Sequence, residues 1–229
     1  MGRGRRAVKI AIVVVAAIVV VGVLAQVLLP RIAAGKVREE VEKYGNVKSV
    51  EVKAWPAVKL VWKRADEVRV SAGRLKASPD QAVALLKEAE GVERMRVSVE
   101  SAEVGGLRLT DAKLEKNGRA LRVRGVVSEE AIERALPEGF EVAFVKSEGG
   151  TIGVRASGGL FGVSASVEAV AAAEDGKLVA RPTGLFLSAL KLTVFDDPNV
   201  YVEGVEAQPL GRGGGEGARY ELSMWASLR

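Results

Sequence analysis

Twenty consecutive residues, 10–29, carry a single polar side chain, Gln26. At about 1.5 Å per residue a helix of that length spans roughly 30 Å, the thickness of a bilayer core. Val and Ile dominate the run. They are middling helix formers in water, but in lipid a helix pairs every backbone group within the segment. Arg3, Arg5, Arg6 and Lys9 precede it. The positive-inside rule then predicts a cytoplasmic basic tail over 1–9, a transmembrane signal anchor over 10–29 and an extracytoplasmic domain over 31–229. A buried core helix is a competing reading, although such helices seldom run this long without a polar face. A cleaved signal peptide is another. Val23-Leu24-Ala25 has the small-residue character of a processing site, and cleavage after Ala25 would give a secreted or periplasmic protein. The apolar run continues through Val27, Leu28 and Leu29, which favours a retained anchor. The chain has no Cys, which excludes a lipid anchor on cysteine, disulfides and thiol chemistry.

The formal charge of +5 overstates the basicity of the domain, because four of the positive charges belong to the tail and +1 is left for the rest. Charge therefore offers no argument for nucleic-acid binding, and no nucleic-acid partner is expected. The chain also has no His, which removes the usual general base and the commonest metal ligand.

Ile32, Val37 and Val41 continue a helical stripe, predicting a stalk helix over 31–45 with Gly45 as its stop. The period then changes to two. Val50 and Val52 alternate with charged residues, Pro56 interrupts, and Val58, Leu60 and Trp62 are expected to share one face of a strand, followed by a short strand at Val68 and Val70. Ser78-Pro79-Asp80-Gln81 has the form of a capping box with proline at the first helical position. Met95, Val97 and Val99 alternate. Asn117-Gly118 lies between the alternating runs 107–115 and 121–127 and predicts a hairpin turn with both residues at positive φ. Ser128 caps a second short helix running through Ile132 and Leu136 to Pro137. Strands are expected thereafter, with turns at Gly149-Gly150 and Asp175-Gly176 and an exposed, flexible Gly-rich loop over 211–217. The fold class expected is α+β: an N-terminal transmembrane and stalk helix, then a curled, mostly antiparallel sheet of roughly ten strands with two short helices.

Catalytic signatures are sparse. No Ser lies in a Gly-x-Ser-x-Gly elbow. The Gly-rich loop lacks the Gly-Lys-Ser/Thr ending of a phosphate-binding loop. Asp196-Asp197-Pro198-Asn199 offers oxygen ligands for Ca²⁺, but Asp-Pro-Asn is also ordinary turn chemistry. Carboxylate pairs that converge in space are not visible in a sequence. The expectation is a non-enzyme without metal or cofactor.

Several strand segments, 55–58, 158–163 and 184–187, are apolar on both faces. Such segments are buried under another layer or meet something greasy. The stalk helix, the short strand, Trp55-Pro56 and then Val68-Arg69-Val70 resemble the opening of the LmeA-like family of phospholipid-binding proteins of actinobacterial cell envelopes. Gly105-Gly106-Leu107, the Ser-capped helix ending in Leu136-Pro137, Asp175-Gly176-Lys177-Leu178 with Pro182, and the last strand over 220–228 are similar to its later blocks. The likeness runs in order through most of 31–229. Trp55 stands where the family usually has Phe, and the Gly-rich loop is an addition.

The resemblance implies non-catalytic phospholipid binding in the periplasm, with phosphoinositides among the candidate lipids, in support of envelope glycolipid assembly. It also implies a fold like that of the tubular lipid-binding proteins, a curled sheet near a helix with an apolar trough. On that reading the lipid-binding candidates are Trp55, Val58, Leu60, Trp62, Leu160, Phe161 and Phe186. Lys59, Lys63 and Arg64 are candidates for pairing with phosphate at the rim, or else a solvated strand face. The two Trp are also readable as core or interfacial residues. The expected partners are phospholipid and membrane. The alternatives are a structural envelope protein that binds other proteins through its sheet, and an unrecognised hydrolase.

Overall fold

The computed structural model describes residues 3–135, 140–160, 163–183, 191–212 and 217–229, with side chains from residue 19 onward except at 135, 140–142, 146, 156, 158–160, 163–165 and 212. Helix α1, Arg3–Glu42, takes in both the apolar run and the stripe after it. Pro30 lies inside it and has no N–H, so the carbonyl of Gln26 goes without its helical donor. The second half of α1 is not a free stalk. Ala33, Ala34, Val37 and Val41 pack on the core cluster of Val47, Val52, Val68, Val70 and Met95.

After α1 come β1 (Gly45–Lys53), a 3₁₀ helix (Ala57–Trp62) and β2 (Ala65–Ala77). The strand expected at 58–62 is therefore helical. Pro56 precedes it in extended conformation, and Lys63 closes it at φ 56°. Val61, wedged between Leu60 and Trp62, already breaks the alternation a strand would need. Helix α2 (Pro79–Glu88) follows with the capping box complete: Gln81 N–H donates to Ser78 Oγ at 3.2 Å, and Ser78 N–H to Gln81 Oε1 at 2.8 Å. It carries the chain back so that β3 (Val92–Val104) lies parallel to β2.

The remaining elements are β4 (Leu107–Asn117), β5 (Ala120–Ser128), α3 (Glu129–Ala135), β6 (Phe140–Glu148), β7 (Thr151–Leu160), β8 (Val163–Glu174), β9 (Lys177–Thr183), β10 (Leu192–Phe195), β11 (Val200–Arg212) and β12 (Ala218–Leu228). Ser128 Oγ accepts from Ala131 N–H and caps α3, as expected; Leu136 and Pro137 lie outside the described residues. So does the centre of the Gly-rich segment, 213–216.

The α+β class holds, but the strands form two sheets rather than one. A seven-stranded sheet has the order β1-β2-β3-β4-β5-β12-β11, and a five-stranded sheet the order β10-β9-β8-β7-β6. Every adjacent pair is antiparallel except β2 with β3. Gly105-Gly106, Gly149-Gly150 and Asp175-Gly176 turn the chain with both φ positive, the requirement of a type I′ hairpin. The β4–β5 turn differs from expectation. Asn117 pairs with Ala120, the loop is Gly118-Arg119, and among these residues only Gly118 has positive φ. This displacement moves each cross-strand partner by two residues and leaves the faces unchanged.

The five-stranded sheet packs against β11. Phe144, Ile152, Val154, Ala171 and Leu178 cluster with Val205, Ala207, Leu222 and Met224. The outer edge of β11 is occupied by turns instead of a strand. Val202 N–H donates to Gly176 O (2.9 Å), Val205 N–H to Gly150 O (3.3 Å) and Ala207 N–H to Ser147 Oγ (2.9 Å). Edge amides that would otherwise invite another chain are thereby used.

Candidate functional site

The register places one apolar row across all seven strands of the larger sheet: Val52, Val68, Met95, Lys116, Leu121, Ala226 and Val202 are successive partners. All seven are buried, between 1% and 8% exposed. A second row, Val50, Val70, Val97, Leu114, Val123, Met224 and Val205, runs beside it and is apolar throughout. The opposite face is charged. Its row Glu51, Arg69, Arg96, Glu115 and Arg122 carries ion pairs from Arg69 to Glu51 (3.6 Å) and Glu67 (2.9 Å), and from Arg96 to Glu67 (2.9 Å). Burial pushes the Glu67 carboxyl up, but the Arg69 hydrogen bond and the charges of Arg69, Arg96 and Lys53 outweigh it and hold it below the ordinary range. One face thus meets water and the other is built for apolar contact.

Three elements cover the apolar face. α1 lies over the β1–β3 end. Val83 and Leu86 of α2 lie over Leu121, Val200 and Ala226. The five-stranded sheet lies over β11 and β12. In the second row Val97, Leu114, Val123 and Met224 are only half-buried, although they sit on four interior strands. This strip is apolar and only half-covered.

Lys116 is the one charge in the buried row. Its ammonium donates to the Val92 carbonyl, at the end of the sheet where β3 begins. Burial pushes its pKa below the ordinary value, and the charge of Glu90 opposes that shift.

Seven of the residues predicted for the site fall in one segment, 55–64, at that same end of the sheet. Leu60 packs into the α1–β2 core, and Ala57 beside it is 1% exposed. Trp55, Val58, Val61 and Trp62 point away from the core, at 73%, 44%, 65% and 66% exposure. Lys59 is already engaged: Asp66 Oδ1 lies 3.0 Å from its Nζ, and Asp66 Oδ2 accepts from Trp55 N–H at 2.5 Å. The Lys59 hydrogen bond, then that of Trp55, hold the Asp66 carboxyl below its usual range. Lys63 and Arg64 are exposed and make no ion pair among the described residues. Gly91 gives this loop its seat. A side chain there would collide with the Lys63 carbonyl, and Ala65 N–H donates to Gly91 O at 3.1 Å.

Gln26 ties the segment to α1. Its Nε2 donates to Ala54 O at 3.0 Å, and its Oε1 accepts from Ala57 N–H at 2.8 Å. Leu160 ends β7, a strand of the five-stranded sheet, which packs at the opposite edge from β1. Its side chain, Phe161 and Phe186 lie outside the described residues. The Asp197 turn is an ordinary Asx turn, with Oδ1 accepting from Asn199 N–H at 2.8 Å and from its Nδ2 at 2.7 Å. A cavity of about 400 Å³ lined by Glu148, Thr151, Gly153 and Val170 lies on the five-stranded sheet, away from these features.

Val97, Leu114, Val123, Met224 and Lys116 are not among the site residues expected from the sequence. The signal was the alternation through β3, β4 and β5, once the register showed which residues line up.

Across the interior strands β3, β4, β5 and β12 the apolar side of this one-faced sheet is only half-buried. The family model of LmeA-like phospholipid-binding proteins matches residues 19–211, and the chain belongs to that family. The match begins within α1 and ends within β11, so the likeness expected over 220–228 falls outside it. No curated protein matches the chain.

Proposed function

We propose that this chain is a membrane-anchored protein that binds phospholipid on the apolar face of its seven-stranded sheet, outside the cytoplasm, and serves cell-envelope lipid or glycolipid handling without catalysing a reaction. The half-covered row Val97, Leu114, Val123 and Met224 carries this reading, in a chain whose family binds phospholipid. Each buried CH₂ contributes about 0.8 kcal/mol, so an acyl chain laid along such a row needs no strong polar contact to stay.

Anchoring is supported by α1. Among the described residues Val19–Glu42 is long and apolar enough to cross a membrane. Its second half packs on the sheet, so the run 10–29 is the part left for the bilayer. Val19, Val20, Val21, Val23 and Leu24 are all more than half exposed, and no described residue covers them. The tail of Arg3, Arg5, Arg6 and Lys9 sets the orientation. Lys63 and Arg64 remain the phosphate-pairing candidates. Leu160, Phe161 and Phe186 are proposed as further acyl contacts.

The test is lipid extraction and mass spectrometry of the full-length chain purified in detergent. Full length is needed because Gln26 is part of the folded unit. Roughly stoichiometric phospholipid is expected, and Val123→Glu, on the open row, is expected to lose it with circular dichroism unchanged. A wild-type chain that carries no phospholipid and takes none up from liposomes would refute the reading.

A further inference from the structure

Resting on that reading for the placement of α1, we propose that segment 55–64 seats in the interfacial zone of the leaflet from which α1 emerges. The domain then sits on the lipid surface and is not held above it on a stalk. Depth is set by Gln26. It precedes Leu29, the last residue of the apolar run, by three positions, about 4.5 Å along the helix axis. Its two side-chain hydrogen bonds hold Ala54 and Ala57 at that level, on either side of Trp55-Pro56. Among the described side chains of α1 the half-buried positions begin there too, at Ala25, Gln26, Leu29 and Pro30, while 19–24 before them are exposed. The Gln26 carbonyl, deprived of a donor by Pro30, also favours a level where polar groups are present.

The surface carried to that level has the composition of an interface. Trp55, Val58, Val61 and Trp62 are large, apolar and exposed, and Trp is the residue enriched where hydrocarbon meets headgroups. Next to them Lys63 and Arg64 are exposed and make no ion pair among the described residues, and Arg31 follows the apolar run after Pro30. This is charge complementarity for phosphate headgroups, anionic ones above all. The occupant is therefore the same bilayer. The end of the sheet where β1 stops and β2 and β3 begin then faces lipid, and the path from leaflet to apolar face is short.

Full-length protein in nanodiscs of phosphatidylcholine and phosphatidylglycerol, with bromine placed on either shallow or deep acyl carbons, tests this by tryptophan quenching. The third tryptophan, Trp225, lies against Gly204 in the folded domain and serves as an internal reference. Shallow bromine is expected to quench strongly in wild type. That quenching should be mostly lost in the double variant Trp55→Phe, Trp62→Phe, whose exposed positions place no demand on the core, and reduced in Gln26→Leu, which keeps the anchor and cuts the tie. Equal shallow quenching in wild type and the double variant would overturn the proposal, as would wild-type tryptophans inaccessible to either bromine, whether bare in water or covered by a protein partner. Lipid retained by the detergent-purified chain before it enters nanodiscs separates the two claims. Retained lipid without quenching refutes the docking alone. Quenching without retained lipid refutes the binding function alone, and a chain that leaves the nanodisc fraction refutes the docking and the anchoring it rests on.

Discussion

Lys116 lies between Met95 and Leu121 in a row whose other members are all apolar, which gives Lys116→Met a definite expected sign. Holding an ammonium away from water costs several kcal/mol even after relaxation, and its charged hydrogen bond to the Val92 carbonyl returns about 1.5–3 kcal/mol. Methionine is unbranched, of similar length and adapts to irregular space. The half-buried Val92 can turn its carbonyl to water. The variant is therefore expected to be more stable than wild type by about 1–3 kcal/mol at neutral pH.

The dependence on pH is a second readout. Burial lowers the folded pKa of Lys116 below 10.5, so between the two values the unfolded chain binds the extra proton. The penalty is complete below the folded pKa and disappears as pH rises to 10.5. The gap between variant and wild type should close over that window. Urea unfolding of the full-length chain in non-ionic detergent, followed by circular dichroism at several pH values, measures both. A variant less stable than wild type by more than about 1 kcal/mol, or a gap that does not narrow on the alkaline side, would refute the argument that the charge is a cost to the fold.

Acid should loosen the tryptophan segment. The Asp66 carboxyl is held below its ordinary value by Lys59 and Trp55, so its contribution is complete above that value and is lost as pH falls through the folded pKa. Trp55 emission should change with a midpoint below 3.8, and Asp66→Asn should abolish that step. Gly91→Ala should destabilise by on the order of 2 kcal/mol, since its methyl would meet the Lys63 carbonyl. Raised hydrogen exchange at Ala65, whose amide donates to Gly91, is the local sign to look for.

The features legible in the sequence were those written within a few residues. The capping box at Ser78 and Gln81, the Ser128 cap and the Asp175-Gly176 turn each depend on local chemistry, and each has the expected geometry. The α+β class followed from the change of period after α1. The parallel pairing of β2 with β3, the second sheet and the insertion of β12 between β5 and β11 depend on contacts between distant segments, and local alternation does not encode them. The same holds for the open row. Val97, Leu114, Val123 and Met224 come from four strands, and only the register brings them together. Lys116 shares the inward parity of Leu114, but a lysine in a strand ordinarily reads as facing water. The misreading of 58–62 had a local cause, since apolar residues at alternate positions outweighed Val61 and the proline before them.

The place of β12 has a consequence for how the molecule is made. It follows β11 in the chain, yet it lies inside the larger sheet between β5 and β11, and its pairing with β5 spans about a hundred residues of sequence. Until it pairs, β5 is a second raw edge of the β1–β5 sheet, and β11, already carrying the five-stranded sheet on its other side, has no strand to join. A pairing of such long sequence separation is slow to close. Loss of β12 would therefore not trim the protein but break its larger sheet, leaving β11 and the five-stranded sheet held to the Gln26–tryptophan half by the chain, α3 and the packing of Val200 on Val83 and Leu121.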